Sequence, residues 1–178
     1  SEICYEFFEN HKFDCIINCA AYTDVDMAES NLDLAMSVNS TGVKVLSEIS
    51  KLLFIKLIHI STDYVFDGSQ SNPINEFEKV NPINNYGISK LSGEDEMIRV
   101  NPINSVIIRT SWLYSPTGNN FVNTILSLSD KKNIRVIDDQ YGSPTNAKDL
   151  AIGIIEIISK INNKDVEIYH FSNSGVCS

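Results

Sequence analysis

The chain has 178 residues, 43% hydrophobic and 21% charged, an ordinary globular composition with enough length to bury a core. A formal net charge of -9 excludes general affinity for nucleic acid or an anionic membrane, so neither is expected as a partner, and any phosphate-bearing ligand must be met by local donors. No apolar run approaches the roughly 18 residues of a spanning helix, and no leader peptide is visible, which reads as cytoplasmic.

Ile3, Phe7 and Phe8 stand at helical spacing and predict a short helix over 2–10. The run from Cys15 to Ala20 is short and mainly apolar, as in a strand buried on both faces of a parallel sheet. It leads into Ala21-Tyr22-Thr23, small or hydroxyl-bearing residues at the strand's carboxyl end. Asp24 to Ser30 reads as a polar turn or short helix. Leu32 to Leu53 reads as mainly helical, with Leu34, Val38, Val45, Leu46 and Ile49 on one face and interruptions at Asn39 and Thr41-Gly42. Ile55 to Ile60 is a second buried strand, ending in Ser61-Thr62-Asp63. Residues 67–82 carry one Asp-Gly and two Asn-Pro signals and read as a loop.

A helix is predicted from about Asn84 to Val100 and a third buried strand over Ser105 to Arg109, ending in Thr110-Ser111-Trp112. Pro116 and Gly118 then mark a turn, and Asn119 or Asn120 caps a helix running through Leu128. Ile134 to Ile137 reads as a short strand, residues 139–145 as a structured turn, Ala147 to Ile161 as an apolar helix and Glu167 to Phe171 as the last strand. Strands alternating with helices argue an α/β fold, a doubly wound, Rossmann-like parallel sheet. Four cysteines form no CxxC pair, and His11, His59 and His170 lack zinc-ligand spacing, so no metal site is expected.

In open parallel sheets ligands bind beyond the carboxyl ends of the strands. Three strands end there in small or polar residues: Ala20 to Thr23, Ser61 to Asp63, and Thr110 to Trp112. The helix joining the second and third begins on the same rim and carries Tyr86 and Lys90, four residues apart and therefore on one helical face. An ammonium beside a phenol favours the phenolate, which makes Tyr86 a candidate proton donor to a developing alkoxide, with Lys90 lowering its pKa. Thr62 is the candidate hydroxyl donor to the same oxygen, or simply a strand end. Small side chains at Ala20 and Ala21 would let a flat cofactor approach the backbone. Trp112 is either core or an apolar wall for a sugar or base, and Asp63 either a site residue or a turn residue. Arg109, charged within an apolar strand, requires a carboxylate partner.

The runs IINCAAYTDVDMAE, IHISTDYVFDG, YGISK followed by LSGE, IIRTSWLY, and DQYGSPT followed by DLA resemble the dTDP-4-dehydrorhamnose reductases, a branch of the extended short-chain dehydrogenase/reductases. The resemblance runs from about Cys15 to Ser178. It implies catalytic roles for Thr62, Tyr86 and Lys90. It also implies cofactor contacts at Ala20, Ala21, Tyr22, Thr23, Ile60, Ser61, Tyr86 and Lys90, and substrate contacts at Thr62, Asp63 and Trp112. Asn119-Asn120-Phe121 resembles a segment whose helix N-terminus faces the substrate diphosphate. The implied reaction is reduction of the C4 ketone of dTDP-4-dehydro-L-rhamnose to dTDP-L-rhamnose by NADPH or NADH, with a dTDP-sugar as substrate and a homodimer among the expected assemblies. A non-catalytic regulatory subunit of the same fold, and a reductase or epimerase for another NDP-sugar, are the alternatives.

The family's GxxGxxG turn, which holds the cofactor pyrophosphate, is absent from the eight glycines. The chain is therefore expected to be an internal fragment, inactive or nearly so alone. Residues 1–115 would be a Rossmann domain truncated at its N-terminus, 116–150 part of a small substrate lobe, and 151–178 a return to the sheet.

Overall fold

The computed structural model describes residues 2–131 and 133–178. Its centre is a four-stranded parallel sheet in the order β1-β2-β3-β6, formed by β1 (Cys15–Asn18), β2 (Lys56–Thr62), β3 (Val106–Thr110) and β6 (Glu167–Phe171). Alternation along the strands sends successive side chains to opposite faces. Ile16, Leu57 and Ile107 turn to one face, where Val43 and Met97 meet them from α4 (Gly42–Leu53) and α5 (Asn85–Val100). Ile58, Val106 and Ile108 turn to the other, against Leu150 and Ile154 of α7 (Ala147–Ile158). Full burial of each such side chain contributes about 1.5–3 kcal/mol relative to exposure. Helices on both faces of a parallel sheet are the doubly wound arrangement expected from the alternating pattern.

The first helix, α1 (Glu2–Asn10), falls where predicted, and α2 (Val25–Ala28) is capped by Asp24, whose carboxylate accepts the Met27 N–H at 3.0 Å. The long helical run between β1 and β2 divides into α3 (Leu32–Met36), a π-helical turn over Ser37–Thr41, and α4. The π turn lies where Asn39 and Thr41 interrupt the pattern. The expected apolar face is only partly used: Leu34 is exposed, and Ala35, Asn39, Val43, Ser47 and Ser50 are buried instead. Small and polar residues line this face because α5 comes too close for larger ones. A Cβ at Gly93 of α5 would meet the Asn39 carbonyl oxygen at 2.0 Å.

Three further expectations are corrected. β1 stops at Asn18, and Ile17 is 42% exposed, so this strand is not buried on both faces. It is an edge strand, and the α7 residues pack on β2 and β3 instead. Residues 134–137 form no strand: they pair with nothing described, and Val136 and Ile137 face solvent. The apolar helix ends at Ile158, although Ile161 still enters the core.

Between β3 and α7 the chain forms a small outlying unit. Its strands β4 (Leu113–Tyr114) and β5 (Thr145–Asn146) pair in parallel, and α6 (Phe121–Ser127) lies between them in sequence, capped by Asn120. An antiparallel bridge between Gly142 and Cys177, and a 2.6 Å bond from the Ser111 hydroxyl to the Ser143 carbonyl, tie the 139–145 turn down.

Candidate functional site

Parallel pairing brings the carboxyl ends of β1, β2 and β3 to one rim, with Asn18 opposite His59 and Thr62 opposite Thr110. Helix α5 begins at that rim because Asn84 caps it, its side chain accepting the Gly87 N–H at 2.7 Å. Gly87 is needed there, since a Cβ would lie 2.2 Å from the Tyr64 carbonyl oxygen. This close approach sets Tyr86, in the first turn of α5, against the end of β2. Its ring meets that of Tyr64 edge-on at 5.5 Å.

Thr62 is the last residue of β2 and is buried. Its hydroxyl accepts the Tyr64 N–H at 3.2 Å and donates to Asp63 Oδ1 at 3.2 Å, so it caps the short 3-10 turn over Asp63–Val65. It is thus a strand end and a polar group beside Tyr86 at once. Burial pushes the Tyr86 phenol above its ordinary pKa; the nearby Thr62 hydroxyl offsets part of this, and Asp63 and Tyr64 add to it. Burial likewise raises the carboxyl of Asp63.

Lys90 is not among the groups that shift the Tyr86 phenol. Lys90 is only 1% exposed, and its Nζ donates to the Ile60 carbonyl at 2.7 Å and lies 3.4 Å from His59 Nε2. Its charge is spent on those neighbours and is opposed by its own burial, which brings its pKa down to about 8 against the helpful charges of Glu94 and Cys19.

Ala20, Ala21, Tyr22 and Thr23 form an open segment beyond β1, without regular structure. Two asparagines hold it. Asn18 Oδ1 accepts the Ala20 N–H at 3.2 Å, and the Asn39 side chain accepts the Tyr22 N–H at 2.8 Å and donates to the Tyr22 carbonyl at 3.0 Å. Asn39 also donates to the Ser89 hydroxyl at 2.9 Å, which in turn donates to the Tyr86 carbonyl at 2.7 Å. One buried amide therefore links the β1 rim to the start of α5. Small side chains over a backbone held this firmly leave room for a flat group to approach, and Ile60 and Ser61 follow His59 near the carboxyl end of the adjoining strand β2.

Under the rim, Arg109 pairs with Glu94 of α5 at 2.6 Å, both buried, and Glu94 also receives the Ser61 hydroxyl. The carboxylate partner expected for Arg109 is therefore present. Phe66 covers the guanidinium at 5.2 Å. Trp112 is half-buried and turns the chain from β3 into β4 with a left-handed backbone, φ 44°. Gly142 lies directly on its indole, where a Cβ would come within 2.6 Å of Cε2. The structure thus brings Thr62, Asp63, Tyr86 and Lys90 together with the 20–23 segment, while Trp112 is tied to the outlying unit. Sequence reasoning passed over Asn18, His59, Asn39 and Glu94. The signal available was a polar residue inside an apolar strand or a helical run.

A rim built this way on a doubly wound sheet defines a Rossmann-type α/β domain with a tyrosine–lysine pair at the carboxyl ends of its strands. The chain belongs to the family described as the RmlD substrate binding domain, whose model matches residues 1–178. It is 44% identical over 172 residues to the spore coat polysaccharide biosynthesis protein SpsK of Bacillus subtilis, covering 96% of this chain and 59% of that protein. It is 43% identical over 170 residues to a dTDP-4-dehydrorhamnose reductase of Sinorhizobium fredii, covering 93% of this chain and 57% of that one. Among solved structures, the dTDP-4-dehydrorhamnose reductase of Bacillus anthracis in complex with NADP superposes with a TM-score of 0.91 at 41% identity, over 98% of this chain and 61% of that one. The chain thus spans about three-fifths of the length of the relatives it matches. Among the described residues no helix is long and apolar enough to cross a membrane, and no cluster of His, Cys, Asp and Glu could hold a metal ion.

Proposed function

We propose that the protein bearing this domain reduces the C4 ketone of dTDP-4-dehydro-L-rhamnose to dTDP-L-rhamnose with NADPH or NADH. The relative from Sinorhizobium fredii is named as a dTDP-4-dehydrorhamnose reductase, and the arrangement of Thr62, Tyr86 and Lys90 on one rim supports the reading most directly. The cofactor, when bound, supplies the hydride. Ala20, Ala21, Tyr22, Thr23, Ile60 and Ser61 would hold it against the rim.

In this reading Tyr86 donates the proton to the C4 oxygen as negative charge builds there. A phenol with a raised pKa is fully protonated at neutral pH and so available as the acid. Thr62, beside it, donates a hydrogen bond to the same oxygen. Lys90 holds the ribose side of the cofactor, and Asp63 and Trp112 contact the sugar nucleotide. The division into residues 1–115, 116–150 and 151–178, action in the cytoplasm and assembly as a homodimer belong to the same proposal. None of the eight glycines forms a GxxGxxG turn, so turnover is expected only from a protein that also carries such a turn.

The test is Tyr86→Phe in the full-length protein, with NADPH oxidation followed on the dTDP-ketosugar. Turnover should fall by about 10²–10⁴-fold with cofactor binding retained. Near-normal turnover would remove Tyr86 from its role, and a preference for another NDP-4-ketosugar in product analysis would change the substrate.

A further inference from the structure

Trp112 is held in an unusual way for an aromatic residue beyond a strand end. Its backbone is left-handed, φ 44°, a region costly for a bulky side chain. Gly142 packs against its ring. A Cβ there would lie 2.6 Å from Cε2 and 2.9 Å from each of two ring neighbours, Cζ2 and Nε1. A point straight above Cε2 gives that pattern, whereas a point at the rim of the ring would come nearer to the neighbours. The glycine backbone therefore lies on the flat of the indole.

The segment behind the ring is anchored from several sides. Gly142 and Cys177 exchange N–H to carbonyl bonds at 3.0 Å each way. The Ser143 hydroxyl donates to the Gly175 carbonyl at 2.8 Å, and the Ser111 hydroxyl to the Ser143 carbonyl at 2.6 Å. The Thr145 N–H closes the turn on the carbonyl of Trp112 itself at 3.2 Å. A turn tied in this way does not draw back from the ring. A methyl added at position 142 must move the indole instead, toward its uncovered side. Trp112 is only half-buried, so it has such a side.

We propose that Gly142 is a positioning residue that sets the depth of the Trp112 indole as a wall for the sugar ring of the substrate, not for its base. This rests on the reading of Trp112 as a substrate contact. Its place in the fold argues for the sugar. Trp112 follows Thr110 by two positions, and Thr110 is the register partner of Thr62, the hydroxyl proposed to meet the ketone oxygen. Neighbouring strands lie about 4.8 Å apart. The part of the substrate this close to the reacting carbon is the sugar, while the base lies a diphosphate away. An aromatic face suits the C–H face of a pyranose, and its depth sets how far that ring sits from Tyr86 and Thr62. Gly142 thereby acts on the placement of the ketone through the indole, without touching the substrate.

The test uses full-length protein carrying fluorotryptophan, with the Trp112 ¹⁹F resonance assigned by its loss in Trp112→Phe. Binding of dTDP and of dTDP-L-rhamnose is measured on each variant. In Gly142→Ala the Trp112 resonance should shift in the free protein. Affinity for dTDP-L-rhamnose should weaken by roughly three- to tenfold, with affinity for dTDP unchanged. KM for the ketosugar should rise with it. In Trp112→Phe the smaller ring leaves room for the methyl, so adding Gly142→Ala there should cause little further loss. An unshifted resonance with unchanged dTDP-L-rhamnose affinity overturns the proposal. So does an equal loss for dTDP, which would put the base on the indole, or a strictly additive loss in the double variant. Trp112→Phe decides even if Gly142→Ala does not fold, since undiminished binding of dTDP-L-rhamnose there removes the wall. Normal turnover by Tyr86→Phe would instead sink the catalytic reading and leave these binding differences in place.

Discussion

Gly93 of α5 and Asn39 of the π turn are in backbone contact: a Cβ on the glycine would lie 2.0 Å from the asparagine carbonyl oxygen. The contact places the Asn39 side chain where it can clamp Tyr22 and reach Ser89. Gly93→Ala should therefore destabilise the chain despite alanine's better helix propensity, which favours it by about 1 kcal/mol. Separating the helices to admit a methyl costs about 1–3 kcal/mol beyond that gain. Urea denaturation reads the loss, and a variant as stable as the parent would show that the two helices part easily.

Glu94 and Arg109 are a buried pair joining α5 to β3, with side chains 1% and 5% exposed. Removing either partner strands the other charge in the core. Glu94→Leu or Arg109→Met alone should cost about 3–5 kcal/mol. The double change Glu94→Leu with Arg109→Met should cost less than the sum of the single changes, because no charge is left unpaired. A double-mutant cycle in denaturant measures this, and strict additivity would show that the pair does not interact.

The pH dependence of stability should carry the mark of His59. Its pKa in the folded chain is depressed well below the ordinary 6.5. Between those two values the unfolded chain binds the extra proton, so stability rises with pH there. His59 thus contributes stability that is present above 6.5 and lost as pH falls toward its folded value. Lys90 acts with the same sign in a higher window: with a folded value of about 8 against 10.5, its contribution is present above 10.5 and is lost as pH falls through 8. His59→Gln should flatten the acid-side loss relative to the parent, as read from urea midpoints on either side of pH 6.5. An unchanged acid slope would mean that His59 is not held neutral.

Much of the fold was legible in local pattern. The apolar runs at 55–60 and 105–109 were strands because β-branched residues there are covered on both faces. The Tyr86–Lys90 pair was legible because four residues make about one helical turn. The partner of Arg109 was expected as a class, yet only the packing of α5 on β3 made it Glu94. Ile17 is exposed because β1 lies at the edge of the described sheet. Residues 134–137 misled, since strand propensity is realised only when a neighbour offers its backbone.

The sequence by itself determined the alternation of strands and helices, the polar strand ends on one rim, and the hydroxyl, phenol and lysine placed there, because each depends on spacing within a single element. Tertiary structure alone decided what surrounds them. The parallel register that sets Asn18 opposite His59, and the approach of α5 that buries Lys90 against His59, join residues 41 and 31 positions apart. The charge state of Lys90 depends on which groups fill the space around its nitrogen, and that space exists only once three elements have packed.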